Sequence, residues 1–251
     1  MIYVCSDLHG QYTMYRRMLE KIRFSAGDEL YILGDVIDRG PEPVDLLLDI
    51  LMNPSVHLLA GNHEDMMLQA YRTGDFSLWK RNGAITTIRQ FSKLSDRSKD
   101  ILLSRLSSLP ILIPNLMENG RTYYLTHAGL AQRILNDPLR YSDAKSFERT
   151  EILWSRALAD GKPIGMLVPE EIYEHYRGNI VIFGHTPTPF CRFGTSTGAK
   201  NPHIAYGSYG HRIAIDCGAA TGLQLGCLRL EDRREFYQYE RNRPTGRHPL
   251  Y

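Results

Sequence analysis

Short apolar runs alternate with polar clusters along the first part of the chain, and amphipathic segments lie between them. Met1-Ile2-Tyr3-Val4-Cys5 reads as a strand ending in Ser6-Asp7-Leu8-His9-Gly10. Tyr15, Met18, Leu19 and Ile22 share one face of a helix from roughly Gln11 to Arg23. A turn at Ala26-Gly27-Asp28 precedes a strand from Glu29 to Leu33, which runs into Gly34-Asp35-Val36-Ile37-Asp38-Arg39-Gly40. Pro41 and Pro43 open a helix to about Met52, and a third strand, Val56 to Ala60, ends at Gly61-Asn62-His63-Glu64. Strand, helix, strand, helix, strand in this order predicts βαβ units.

The stretch from His63 to Leu109 reads as mostly helical. Apolar positions recur at three and four (Met66, Met67, Ala70, Tyr71; Ile85, Ile88, Phe91; Ile101, Leu102, Leu106) until Pro110 stops the pattern. Strands are then expected at 111–113, 123–126, 180–183, 213–215 and 223–230. Helical pieces near 142–159 and 169–176 interrupt them. The loop from Phe193 to Ser208 is rich in Gly, Thr and Ser, and the tail after Asp232 forms one last strand and then frays around Pro244, Gly246 and Pro249. No repeat, low-complexity segment or boundary is evident, so one domain over residues 1–251 is expected.

Bulk properties narrow the function classes. Hydrophobic residues at 43% and charged residues at 23% match an ordinary globular protein. A net charge of +2 does not supply the basic field of a nucleic-acid or acidic-membrane binder. The first residues carry no signal-peptide pattern, and the apolar runs are too short to span a bilayer. Cys5, Cys191, Cys217 and Cys227 lack C-x-x-C spacing. A reduced, cytoplasmic protein is the expectation, with Cys5 and Cys217 as small packing residues.

The polar clusters carry the chemistry. To the three already given the chain adds His127-Ala128-Gly129 after Tyr123-Tyr124-Leu125-Thr126, and Gly184-His185-Thr186-Pro187 after Ile180-Val181-Ile182-Phe183. In open α/β sheets the loops beyond the carboxyl ends of strands carry function, so these segments meet at one rim. A single strand-end Asp is ordinarily a cap or turn residue, and a single His a satisfied polar group. Five clusters in the same context, bearing hard oxygen ligands and imidazoles, suit a site for two divalent metals. Asp7 and His9, two apart, can turn toward one ion; the Asp35 carboxylate has lone pairs enough to bridge two.

In the order D-x-H, G-D-x-x-D-R-G, G-N-H-E, H-A-G and a late G-H, the chain resembles the PPP-type serine/threonine protein phosphatases of the calcineurin-like metallophosphoesterase superfamily. Its nearest likeness is to their compact bacterial and phage members, from Asp7 to about Asp216. The resemblance implies an α/β fold of two mixed β-sheets packed as a sandwich and flanked by helices. It implies Asp7, His9 and Asp35 at a first metal, and Asp35, Asn62, His127 and His185 at a second. Manganese is the expected ion, with iron or zinc as alternatives. Ions about 3.5–4 Å apart would share a hydroxide for in-line attack on phosphorus. His63 would protonate the leaving oxygen, oriented by Asp38, while Arg39, Arg156 (in Leu153-Trp154-Ser155-Arg156) and Asn62 would hold the phosphate. Glu64 and Asp65, opening a helix, suit its dipole as well as a supporting role at the site.

Two positions depart from the family pattern. Ser6 stands where it usually has Gly, and a modest backbone adjustment is expected. Pro187 stands where many nucleases and phosphodiesterases of the superfamily carry another histidine, which leaves the first ion with three protein ligands. The resulting expectation is a metal-dependent phosphomonoesterase acting on phosphoserine and phosphothreonine in proteins or peptides, with dual specificity toward phosphotyrosine as a variant of it. Symmetrical cleavage of dinucleoside tetraphosphates is the alternative within hydrolases; a catalytically silent phosphoprotein-binding module is the alternative outside them.

Overall fold

A computed structural model describes residues 1–133, 135–160, 179–193, 202–207 and 210–239. The expected helix at 169–176, most of the Gly/Thr/Ser loop and the last twelve residues lie outside the described residues. One sheet has the order β11-β10-β1-β2-β3, with β1 Ile2–Cys5, β2 Glu29–Ile32, β3 Val56–Leu58, β10 Gln224–Arg229 and β11 Glu235–Tyr239. The other has the order β6-β4-β5-β7-β9-β8, with β4 Pro110–Glu118, β5 Arg121–Thr126, β6 Leu139–Arg140, β7 Ile180–Phe183, β8 Ala205–Tyr206 and β9 Arg212–Ala214. Both sheets are mixed, as expected. Each contains a parallel triplet, β1-β2-β3 and β5-β7-β9, bordered by antiparallel strands.

Alternation along the strands builds the layers. Val4, Tyr123, Leu125, Ile180, Ile182, Ile213 and Leu228 belong to one buried cluster contributed by both sheets. Their neighbours Tyr3, Cys5, Leu30 and Ile32 face the helices of the first sheet instead. Tyr124, Val181, Phe183 and Ala214 do the same for the second. Strands buried on both faces need continuous apolar runs, and that is why these segments read so plainly. All four cysteines are buried, and none forms a disulfide among the described residues.

The helices are α1 Tyr12–Ile22, α2 Pro43–Met52, α3 Asn62–Thr73, α4 Ser77–Arg81, α5 Ile85–Phe91, α6 Asp96–Ser107 and α7 Ser146–Trp154. Gly74, at φ 79°, ends α3, and the Ser95 hydroxyl accepts from the Ser98 N–H to start α6. Strand β4 runs past the expected 111–113. Asn115 at φ 57° and a register shift between Ile113 and Leu116 absorb Pro114 as a bulge. The expected helix over 142–159 shrinks to α7 because Ser155 turns extended (φ −67°, ψ 138°). No described helix is long and apolar enough to cross a membrane.

Candidate active site at the sheet ends

Each strand of the two parallel triplets ends at a polar loop: Asp7 and His9 after β1, Asp35 after β2, Asn62 after β3, His127 after β5, His185 after β7 and Asp216 just beyond β9. Backbone bonds extend the parallel ladder into these loops. The N–H groups of Asp7, His9 and Gly10 donate to the carbonyls of Gly34 (3.2 Å), Asp35 (2.9 Å) and Val36 (2.7 Å), and Gly184 N–H donates to His127 O (2.8 Å). Among the described residues, six of the ten non-glycine residues at positive φ are Asp7, His9, Asp35, Asp38, Arg39 and His185. Such backbones are costly and persist where their surroundings over-determine them, commonly at functional sites.

Glycines give the loops room to meet. A Cβ on Gly61 would lie 2.3 Å from Asp35 Oδ1, and one on Gly184 would lie 2.0 Å from Ser6 Oγ and 2.2 Å from Asp7 Oδ2. The serine at position 6 is thus accommodated across the interface by Gly184. Its hydroxyl donates to the Asp7 carboxylate. Glu64, fully buried, fastens two loops by accepting from the N–H groups of Gly61 (2.8 Å), Asp35 (2.9 Å), Val36 (3.0 Å) and Ile37 (3.4 Å). Burial and the Asp35 charge push its carboxyl up to about 7 even against the opposing pull of the Gly61 and Asp35 N–H groups. Four donors leave its oxygens no partner for a proton, so the geometry holds the carboxylate.

Asp35 sits at the junction of two donor groups. His9, Asp35 and His63 form one, and Asp35, His127 and His185 the other, with ligand atoms within 4.8 Å in each. Asp35 Oδ2 is 3.6 Å from His9 Nε2, and Oδ1 is 3.6 Å from His127 Nε2. Asn62 Oδ1 lies 2.9 Å from His127 Nε2 and 3.0 Å from His185 Nδ1. Asp7 is buried beside these groups rather than within them, its Oδ2 accepting the His185 N–H at 3.0 Å.

The residues fit a pair of divalent cations. His9 Nδ1 donates to Ile37 O at 3.1 Å and His127 Nδ1 to Leu33 O at 2.6 Å, so each ring turns a bare Nε2 inward. Burial lowers the pKa of both rings, and that of His185 to about 3, which keeps them neutral and able to ligate. His127 Nε2 and Asn62 Oδ1 then present lone pairs to each other at 2.9 Å, an arrangement a cation resolves. Burial opposes ionisation of Asp35, yet His127, His63, His9 and His185 hold its carboxyl below the usual range.

His63 is bound differently. Its Nδ1 is 2.6 Å from Asp38 Oδ2, and its Nε2 faces the Arg39 Nη2 at 3.1 Å, while Arg39 Nη1 reaches His9 Nε2 at 3.0 Å. Burial works against its protonated form, but Asp35 and Asp38 outweigh it and raise the pKa. Arg39, Arg156, Asn62, His63, Asp35 and His185 line one cleft, together with Asn82 and Trp154. Of the other expected site residues, Asp7, His9, Asp38 and His127 are buried and each contacts a residue of that lining, His185, Arg39, His63 and Asn62 respectively.

Three features were not foreseen. Trp79 and Thr87 both donate to Asp38, at 2.6 Å each. Asp65, expected either to suit the helix dipole or to support the site, does the latter through partners with no signal in the sequence: it accepts from Tyr141 Oη (2.6 Å) and Trp154 Nε1 (3.2 Å), tying α3 to the end of α7 and so to Arg156. Asp216 is buried, and burial pushes its carboxyl up to about 7. The rarity of tryptophan, two in the chain, was the one sequence signal for Trp79 and Trp154.

The model of the calcineurin-like phosphoesterase family matches residues 1–189. Serine/threonine-protein phosphatase 2 of Salmonella typhimurium is 30% identical over 210 residues, covering 83% of this chain and 88% of that protein. The symmetrical bis(5'-nucleosyl)-tetraphosphatase of Shigella dysenteriae is 27% identical over 298 residues, covering 98% and 95%. Among solved structures, a protein serine/threonine phosphatase from Saccharomyces cerevisiae superposes with a TM-score of 0.57 at 17% identity, over 97% of this chain and 81% of that one.

Proposed function

The chain belongs to the calcineurin-like phosphoesterase family, a metal-dependent class of hydrolases, and from this premise we propose that it is a phosphomonoesterase whose substrates are phosphoserine and phosphothreonine in proteins. In this reading one catalytic domain holds two manganese ions, on Asp7, His9 and Asp35 and on Asp35, Asn62, His127 and His185. The observation that carries it is the His63–Asp38 pair, set at 2.6 Å in the same cleft as Arg39 and Arg156. When bound, the cations supply a nucleophile from water at neutral pH and neutralise phosphoryl charge. Arg39 and Arg156, both exposed, bind phosphoryl oxygens through their planar forks, and the Asn62 amide contributes a further polar contact. His63 gives its Nε2 proton to the departing ester oxygen, and Asp38 holds the ring while that charge moves.

A second reading, cleavage of dinucleoside tetraphosphates, has its own observation. The half-buried indole of Trp154 lines the cleft near Arg156, where a nucleobase would stack. Steady-state rates of the manganese-loaded protein on phosphoserine, phosphothreonine and phosphotyrosine peptides and on diadenosine tetraphosphate separate the two. The proposal expects the highest kcat/KM on phosphoserine or phosphothreonine peptides. A higher value on the dinucleotide would overturn it.

A further inference from the structure

The excursion from Gly74 to Ser92 contributes little to the cleft, yet it grips the loop behind it residue by residue. Trp79 Nε1, from α4, donates to Asp38 Oδ2 at 2.6 Å. The Thr87 hydroxyl, from α5, donates to Asp38 Oδ1 at 2.6 Å and accepts the Asp38 N–H at 2.9 Å. Gly83 O accepts the Arg39 N–H at 3.0 Å, and Gln90 donates to Pro41 O at 2.6 Å while accepting the Val44 N–H at 3.2 Å.

Two physical needs explain so many contacts. Asp38 and Arg39 are consecutive non-glycine residues in the left-handed region, at φ 74° and 63°. Local sequence disfavours that conformation, so bonds from elsewhere must hold it. A carboxylate is also free to rotate about Cβ–Cγ unless donors pin both oxygens. Asp38 receives His63 and Trp79 on one oxygen and Thr87 on the other, all four residues being at most 1% exposed. Trp79 and Thr87 line no part of the cleft and belong to neither donor group, so their polar atoms act on Asp38 alone.

We propose that Trp79 and Thr87 are positioning residues for protonation of the leaving group: they fix the Asp38 carboxylate, Asp38 fixes the His63 ring, and Nε2 is thereby aimed at the departing oxygen. This rests on the reading of His63 as proton donor. As the bond from phosphorus to the ester oxygen breaks, the electron pair stays on that oxygen and takes the Nε2 proton. The products are the alcohol or phenol and a phosphate carrying one oxygen from water.

The need for a donor grows with the basicity of the leaving oxygen, so phenyl phosphate depends on it and 2,4-dinitrophenyl phosphate barely does. The full chain, loaded with Mn²⁺, is assayed on both esters as wild type, Trp79→Phe, Thr87→Val, Thr87→Ser and His63→Asn. The ratio of kcat on the dinitrophenyl ester to kcat on the phenyl ester is expected to rise roughly ten- to hundredfold in Trp79→Phe and Thr87→Val. Thr87→Ser, which keeps the hydroxyl, returns the ratio to wild type. An unchanged ratio in both variants, with the ratio raised in His63→Asn, overturns the proposal and leaves the proton-donor reading standing. An unchanged ratio in His63→Asn overturns both. Should Trp79→Phe fail to fold, the Thr87→Val and Thr87→Ser pair carries the same comparison.

Discussion

Replacing Glu64 by Gln tests how the metal-bearing loops are held together. The substitution keeps shape and volume but turns one carboxylate oxygen into an NH₂ donor. Oε2 accepts the N–H groups of Gly61 and Asp35, and Oε1 those of Val36 and Ile37. Whichever way the amide settles, two backbone donors lose their acceptor and face a donor instead, in a place with no solvent. An orphaned buried donor costs about 1–3 kcal/mol, so the total is about 2–6 kcal/mol. For a chain of this size that lowers Tm by roughly 5–20 °C. The assay is thermal unfolding of the metal-free protein followed by circular dichroism, with Mn²⁺ affinity measured beside it. Affinity is expected to fall too, because one orientation releases the Asp35 N–H and the other releases those of Val36 and Ile37, the next residues of the same loop. A Gln variant melting within about 2 °C of wild type would refute the reasoning, since it would mean that Glu64 already carries a proton.

Three further outcomes follow from the same geometry. Gly184→Ala places a Cβ 2.0 Å from Ser6 Oγ and 2.2 Å from Asp7 Oδ2, so Mn²⁺ affinity should fall at least about tenfold, or about 1.4 kcal/mol, by titration calorimetry; unchanged affinity would place Asp7 outside the site. Asp65→Ala frees Trp154 and, through it, Arg156, and should raise KM several-fold with little change in kcat, accompanied by a shift in tryptophan emission; a loss in kcat alone would count against it. For pH, burial lowers the pKa of His9, His127 and His185, so at these rings the unfolded chain binds more protons once pH falls below about 6.5. His63, Asp7 and Asp216, whose pKa values are raised, contribute in the opposite sense. Rings that resist protons are thus set against groups that retain them, and the stability of the metal-free protein should change little between pH about 6.5 and about 5, by well under the roughly 4 kcal/mol per unit that three uncompensated rings would give. Urea unfolding at a series of pH values measures this, and a loss approaching that slope would contradict it.

The strands of the two parallel triplets were legible because both of their faces are buried, which forces unbroken apolar runs such as Ile180-Val181-Ile182-Phe183. The loops they feed were legible because Asp, His and Asn gather at strand ends. The assignment of Asp7, His9, Asp35, Asn62, His127 and His185 to two ions came from the resemblance, and the structure brings these six to one rim with Asp35 between two donor groups. Other features had no local signature. Trp79 and Thr87 reach Asp38 across 41 and 49 residues, and neither spacing nor composition connects them. The continuation of β4 past Pro114 depends on a bulge at Asn115, an ordinary residue taking a glycine-like φ. Strands of two residues, β6 and β8, are too short for any period to register.

The central claim is a pair of cations sharing the Asp35 carboxylate, and electron paramagnetic resonance of the Mn²⁺-titrated protein tests it most directly. The account predicts two ions bound per chain and a spin-coupled spectrum at saturation, reduced to uncoupled Mn²⁺ in Asp35→Asn. One ion per chain, or two that remain magnetically independent in the wild type, would contradict it.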